Sequence, residues 1–70
     1  MKITDAKSYG EAIRKRRKEL GYTQAYLAEF TGFSVSFISD LERGKATTEI
    51  SKSIYLAKLL EMDLCMENRG

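Results

Sequence analysis

The sequence predicts a mainly α fold, a repeatedly punctuated chain of four to five short helices followed by one short C-terminal β-strand, on three observations. Proline is absent and the glycines read as punctuation, which favours helices divided by tight turns over a sheet. Apolar residues recur at helical spacing between those glycines. Only the tail breaks the pattern, alternating apolar and polar residues at period two. With 70 residues, the chain reads as one domain over 1–70, and its core is small enough that dimerisation would add useful buried surface.

The elements follow in order. From Asp5 to Leu20, the residues Tyr9, Ala12, Ile13 and Leu20 fall on one stripe, and Gly21 follows at the stop position. Thr23 is a good N-cap for a second helix whose Leu27, Ala28 and Thr31 share a face, and Gly32 supplies the left-handed turn that ends it. Ser34 caps a third helix with Ile38 and Leu41 pointing inward and Gly44 at its end. Thr47 or Thr48 caps a fourth, in which Ile50, Ile54, Ala57 and Leu60 recur at helical spacing. In the tail, Leu64 and Met66 alternate with Asp63, Cys65 and Glu67, so residues 63–68 read as a lone strand whose unpaired edges require a partner.

Composition removes several classes of function. No apolar run of about 18 residues could span a bilayer, and the polar start has no signal-like segment, so a cytoplasmic protein without a membrane partner is expected. One cysteine and no histidine exclude a disulfide scaffold and a zinc finger, and with no nucleophile beside a base an enzyme is not expected. No metal or cofactor is expected either. Net charge is +2, unevenly spread: residues 1–22 carry seven Lys/Arg against three Asp/Glu, the remainder five against seven. The run Arg14-Lys15-Arg16-Arg17-Lys18 reads either as a phosphate-facing patch or as a solvated helix face.

The second and third helices form a recognisable unit over about residues 23–43. Ala28 is small enough for close approach, Gly32 makes the turn, and Leu27, Phe33, Ile38 and Leu41 fill a shared core, which is the spacing of a helix-turn-helix. Nearly the full length resembles the Cro/repressor family of phage and plasmid regulators, through RRKELGYTQAYLAEFTGFSVSFISDLERGK in particular. Within that family the SFISDLERGK segment, the short fourth helix and the strand-like tail are similar to HipB-type antitoxins. Those are small dimeric autorepressors made with a HipA-like kinase toxin. The resemblance implies a repressor-like DNA-binding domain that recognises a double-stranded DNA operator as a homodimer and serves as the autoregulating antitoxin of a HipA-like toxin. Two departures from the family pattern keep the operator sequence from being carried over: Val35, where a polar base reader is usual, and Asp40, an acid on the expected DNA face.

In that setting the third helix places Ser36, Ser39, Asp40 and Arg43 opposite Ile38 and Leu41, with Val35 at its tip. Small side chains let a helix sink into the major groove, where serine can bond base edges, Val35 can touch a thymine methyl and Asp40 can accept from a cytosine amine. Ser34, Val35, Ser36 and Ser39 are the expected readers, Gln24 would meet phosphate at the start of the second helix, and Arg43 and Lys45 would add phosphate contacts. Thr23 and Phe37 complete the expected DNA-binding set.

The resemblance further implies that Arg17 forms a buried ion pair with Glu42, tying the first helix to the end of the third. Tyr26 and Phe30, four apart and off the Leu27 face, are expected to be exposed together as a surface for a toxin or a second subunit, or else to pack against the first or fourth helix. The tail strand, with Leu64, Cys65 and Met66, is expected to pair with its own copy across a two-fold axis, Cys65 facing away from the other two. A frayed tail and pairing with Lys2-Ile3-Thr4 are the alternatives. Among other functions, a phage-type repressor or restriction-modification controller without a toxin partner, or a protein-interaction module that has lost DNA binding, would also carry these helices.

Overall fold

A computed structural model describes residues 2–45 and 49–69. Among the described residues there are four helices: α1 (Ala6–Glu19), α2 (Gln24–Thr31), α3 (Val35–Glu42) and α4 (Ile50–Leu59).

Each of the first three begins on a side-chain cap. Asp5 accepts from the Ser8 N–H at 2.7 Å while the Asp5 N–H donates to the Ser8 hydroxyl at 3.1 Å, a reciprocal capping box that satisfies two of the helix's orphan donors. Thr23 and Ser34 cap α2 and α3, accepting from the N–H groups of Tyr26 and Phe37, each at 3.0 Å. Gly32 ends α2 at φ +79°, a left-handed conformation that glycine adopts without steric cost, and its N–H returns to the Ala28 carbonyl. Thr31 spans the same turn, donating to the Leu27 carbonyl at 2.6 Å and accepting from the Phe33 N–H at 3.0 Å. Glu49 stands at the N-cap of α4 without a side-chain cap bond, and the expected caps Thr47 and Thr48 lie outside the described residues.

All the helices contribute to one core. Ile13 of α1, Leu27 of α2, Ile38 and Leu41 of α3, and Leu56, Ala57 and the adjoining Leu60 from α4 are buried together, with Tyr9, Leu20, Phe33 and Phe37 packed around them. Complete burial of such side chains is worth about 1.5–3 kcal/mol each, so these residues fix how the helices sit. Two polar ties add direction between α1 and α4: Arg16 Nε donates to the Leu60 carbonyl at 3.0 Å, and the Tyr9 hydroxyl donates to the Ser53 carbonyl. Burial pushes the Tyr9 phenol upward from its ordinary pKa.

Two expectations are corrected. Gly10 is not punctuation: it lies buried inside α1, where an added Cβ would come 2.3 Å from the Leu41 carbonyl oxygen and 2.7 Å from that of Glu42. Glycine is therefore required for the backbones of α1 and α3 to approach this closely. Ile50 opens the helical repeat of α4 and is 76 % exposed. Residues 62–69 carry no regular secondary structure, so the C-terminal strand is not formed. A strand is defined by its ladder, and among the described residues no ladder to this tail is present. Leu64, Cys65 and Met66 all line one groove.

Candidate nucleic-acid interface

The geometry of the α2–α3 unit is set by one buried ionic network. Arg17 donates from Nε to Glu42 Oε2 at 2.7 Å and from NH2 to Glu42 Oε1 at 3.0 Å, and its NH1 donates to the Tyr22 carbonyl at 2.9 Å. The side chains are 9 % and 2 % exposed. A guanidinium offers a planar fork that matches both oxygens of a carboxylate, which makes this pairing directional as well as strong. Gln24 joins it, its amide Nε2 donating to Glu42 Oε1 at 3.0 Å. The start of α2 is thereby held against the end of α3, and both are held to α1.

Gln24 is thus committed through its amide nitrogen to Glu42, and only the rest of this half-buried side chain is left to meet a phosphate. Sequence reading missed this, because a contact across 18 positions leaves no local signal.

On the outer side of α3 the side chains are small or polar. Val35 is 46 % exposed, Ser36 is exposed beside it, and Ser39 is half-buried one turn further on. Eight residues of α-helix are about 12 Å long, comparable with the width of the B-DNA major groove. The hydroxyls of Ser34 and Thr23 serve as caps, so their part in any contact is shared with holding the helix ends. The Phe37 ring meets Phe33 edge-on at 5.1 Å between centroids, carries the Lys52 ammonium 5.5 Å away and is half-buried against the core.

The far end of the same face is charged. Arg43 NH2 lies 2.5 Å from Asp40 Oδ1 and Lys45 Nζ 3.5 Å from that same oxygen. The Arg43 bond and the neighbouring cations hold the Asp40 carboxyl below the usual carboxylate range. The Asp-to-Arg spacing of three along a helix was available in the sequence as a signal for this pair.

The basic run of α1 divides by role. Arg17 is buried in the network, Arg16 is tied to the Leu60 carbonyl, and Arg14, Lys15 and Lys18 are exposed. Neither a phosphate patch nor a solvated face describes the run as a whole.

Two apolar surfaces lie elsewhere. Tyr22, Tyr26 and Phe30 form a ladder of rings with centroids 4.9 and 6.1 Å apart, Tyr26 being 47 % and Phe30 60 % exposed. The edge of Leu59 closes it on the α4 side. A groove of about 540 Å³ runs between α1, α4 and the tail, lined by Ile3, Tyr9, Ile50, Ile54, Leu64 and Met66 among others. Among the described residues, no cluster of His, Cys, Asp and Glu could hold a metal ion, and no helix is long and apolar enough to cross a membrane.

Residues 13–65 match the model of the Helix-turn-helix family HTH_3. The chain is 31 % identical over 64 residues to an uncharacterized HTH-type transcriptional regulator of Haemophilus influenzae, covering 91 % of this chain and 63 % of that protein, less than two thirds of its length. It is also 31 % identical over 62 residues to the ImmF control region 10 kDa protein of Bacillus phage phi105, covering 89 % and 69 %. Among solved structures, it is similar in fold to HipB in a complex with an O2 20mer, with TM-score 0.87, 24 % identity and coverage of 100 % and 97 %. The same holds for a HipA-HipB-O2-O3 complex, with TM-score 0.86, 23 % identity and coverage of 100 % and 99 %.

Proposed function

Because the chain belongs to the helix-turn-helix family of transcriptional regulators, we propose that it is a sequence-specific operator-binding repressor acting as a homodimer, and the autoregulating antitoxin of a HipA-like kinase toxin. The observation that carries the DNA-binding reading is the outer face of α3: exposed Val35 and Ser36 at its tip, Ser39 behind them, and Arg43 and Lys45 at its end. In this reading Val35, Ser36 and Ser39 contact base edges, while Gln24, Arg43, Lys45 and the capped helix starts at Thr23 and Ser34 position the phosphates. Likeness to HipB structures supports the antitoxin role, one of them being a complex that includes HipA. The similarity to a phage control-region protein favours a second reading, a phage-type regulator without a toxin partner.

Homodimerisation is proposed through the groove between α1, α4 and the tail. Its apolar lining and the tail beside it suit isologous pairing of residues 63–68, with Leu64 and Met66 covering Ile50 and Ile54 of both copies. Truncation after Glu61 should give a monomer in sedimentation that keeps its helical content and loses most operator affinity.

The central test is selection of duplexes from a random library, followed by binding of variants. Val35→Ala and Ser36→Ala should alter sequence preference, whereas Lys45→Ala should weaken binding to all sequences and flatten the salt slope by about one unit. Unchanged selection by a chain carrying both α3 substitutions would refute base reading by this helix. Capture of a kinase-like protein from the native host supports the antitoxin role; a chain that captures none supports the phage-type reading. Tyr26→Ser and Phe30→Ser should weaken that capture if the aromatic ladder is the toxin-facing surface.

A further inference from the structure

The charged end of α3 contains an arrangement that the base-reading and phosphate roles leave unexplained. Asp40 Oδ1 takes a guanidinium nitrogen of Arg43 at 2.5 Å and the ammonium of Lys45 at 3.5 Å, and the Asp40 carbonyl accepts from the Lys45 N–H at 3.0 Å. The two cations are 66 % and 60 % exposed, so they reach outward from this one carboxylate, which is itself 29 % exposed. An anionic oxygen shared by an arginine and a lysine reproduces the ligand that both would meet on DNA, a phosphate oxygen.

We propose that Asp40 is a specificity-determining residue, an internal stand-in for phosphate that Arg43 and Lys45 must give up before they can contact DNA. The inference rests on the DNA-binding reading given above. Non-specific binding is almost wholly electrostatic, so a carboxylate that occupies two cations lowers it directly. On the cognate duplex, the carboxylate released by its cations sits on the base-facing side of α3 and accepts from a cytosine amine. On other sequences, it faces acceptor edges and backbone phosphates, and the exchange is unfavourable. One residue therefore weakens binding everywhere and recovers the loss at the correct site.

The alternative role for Asp40 is a staple holding residue 45 to the end of α3. The two roles predict opposite results. Asp40→Asn keeps shape and removes charge; Asp40→Ala removes both and controls for the new amide donor. The wild-type protein and both variants are to be titrated with a random-sequence duplex and with a duplex selected by the wild type, across a range of salt, with melting temperature recorded for each. Discrimination by Asp40 predicts tighter binding of the random duplex and a salt slope steeper by about 0.9 for each cation released. It also predicts a ratio of selected to random affinity lowered about tenfold, the scale of one base-edge contact. Variants that melt lower and bind both duplexes more weakly would overturn the inference in favour of the staple. Unchanged random-duplex affinity and slope would overturn it as well. A wild-type chain with no salt-dependent duplex binding would instead remove the DNA-binding reading on which it rests.

Discussion

Replacing Arg17 by methionine is the sharpest perturbation available, because the Glu42 carboxylate, 2 % exposed in the pair, then keeps among the described residues only its bond to the Gln24 amide. Removing one member of a buried pair costs about 3–5 kcal/mol, most of it the penalty of stranding the other charge away from water. A domain of this size has about 4–10 kcal/mol of stability in total, at roughly 0.05–0.15 kcal/mol per residue. The substitution should therefore consume a third or more of it and lower the melting temperature by about 12–40 °C. Glu42→Leu should behave similarly, stranding a guanidinium whose remaining partner is the Tyr22 carbonyl. Arg17→Met with Glu42→Leu strands neither, since half-buried Gln24 can turn its amide to water, and the double variant should lie near or above the wild type. Urea unfolding followed by far-ultraviolet circular dichroism gives all four stabilities and the coupling energy between the positions. Single variants within about 1 kcal/mol of the wild type would refute the argument, as would a double variant as unstable as the summed singles.

The remaining predictions concern other elements. Gly10→Ala should destabilise by about 1–3 kcal/mol net of its better helix propensity, because the new Cβ would strike the Leu41 and Glu42 carbonyls; a variant that melts higher would mean that α1 and α3 do not touch there. Bonding to Ser8 lowers the Asp5 carboxyl from its ordinary value of 3.8, so its contribution is present above that value and is lost as pH falls through the lowered one. Asp5→Asn should flatten the acid side of the stability curve relative to the wild type, and parallel curves would refute it. Gly32→Ala should cost about 1 kcal/mol in thermal unfolding through its positive φ alone, as nothing lies within 4 Å of the added Cβ.

What was legible in the sequence was what local chemistry determines. The caps at Thr23 and Ser34, the Gly32 turn and the inward set Leu27, Ile38 and Leu41 each follow from a few neighbouring residues. The Arg17–Glu42 pair spans 25 positions and was foreseeable through family resemblance, not through spacing. Gln24 turning to Glu42 and Arg16 reaching the Leu60 carbonyl could not be foreseen, since each depends on where two helices end in space. Periodicity assigns a stripe, but the extent of the core decides which residues on it are covered, and Ile50 stays exposed. Period-two alternation in the tail specifies what a strand would bury, while pairing requires a second edge that one chain does not supply.

In α3, the residues that secure the fold and those that face outward occupy different positions. Ile38, Leu41 and Glu42 are buried, and exposed Val35 and Ser36 join neither the core nor the ionic network. Substitutions at such exposed positions usually change stability by no more than about 0.5 kcal/mol. For a lineage of such regulators, this separation makes the outer face of α3 free to vary by inheritance. On the proposed base-reading role of this face, a duplicated gene could come to address a different stretch of genome through one or two codon changes, with no compensating change in the scaffold and no passage through an unfolded intermediate sequence.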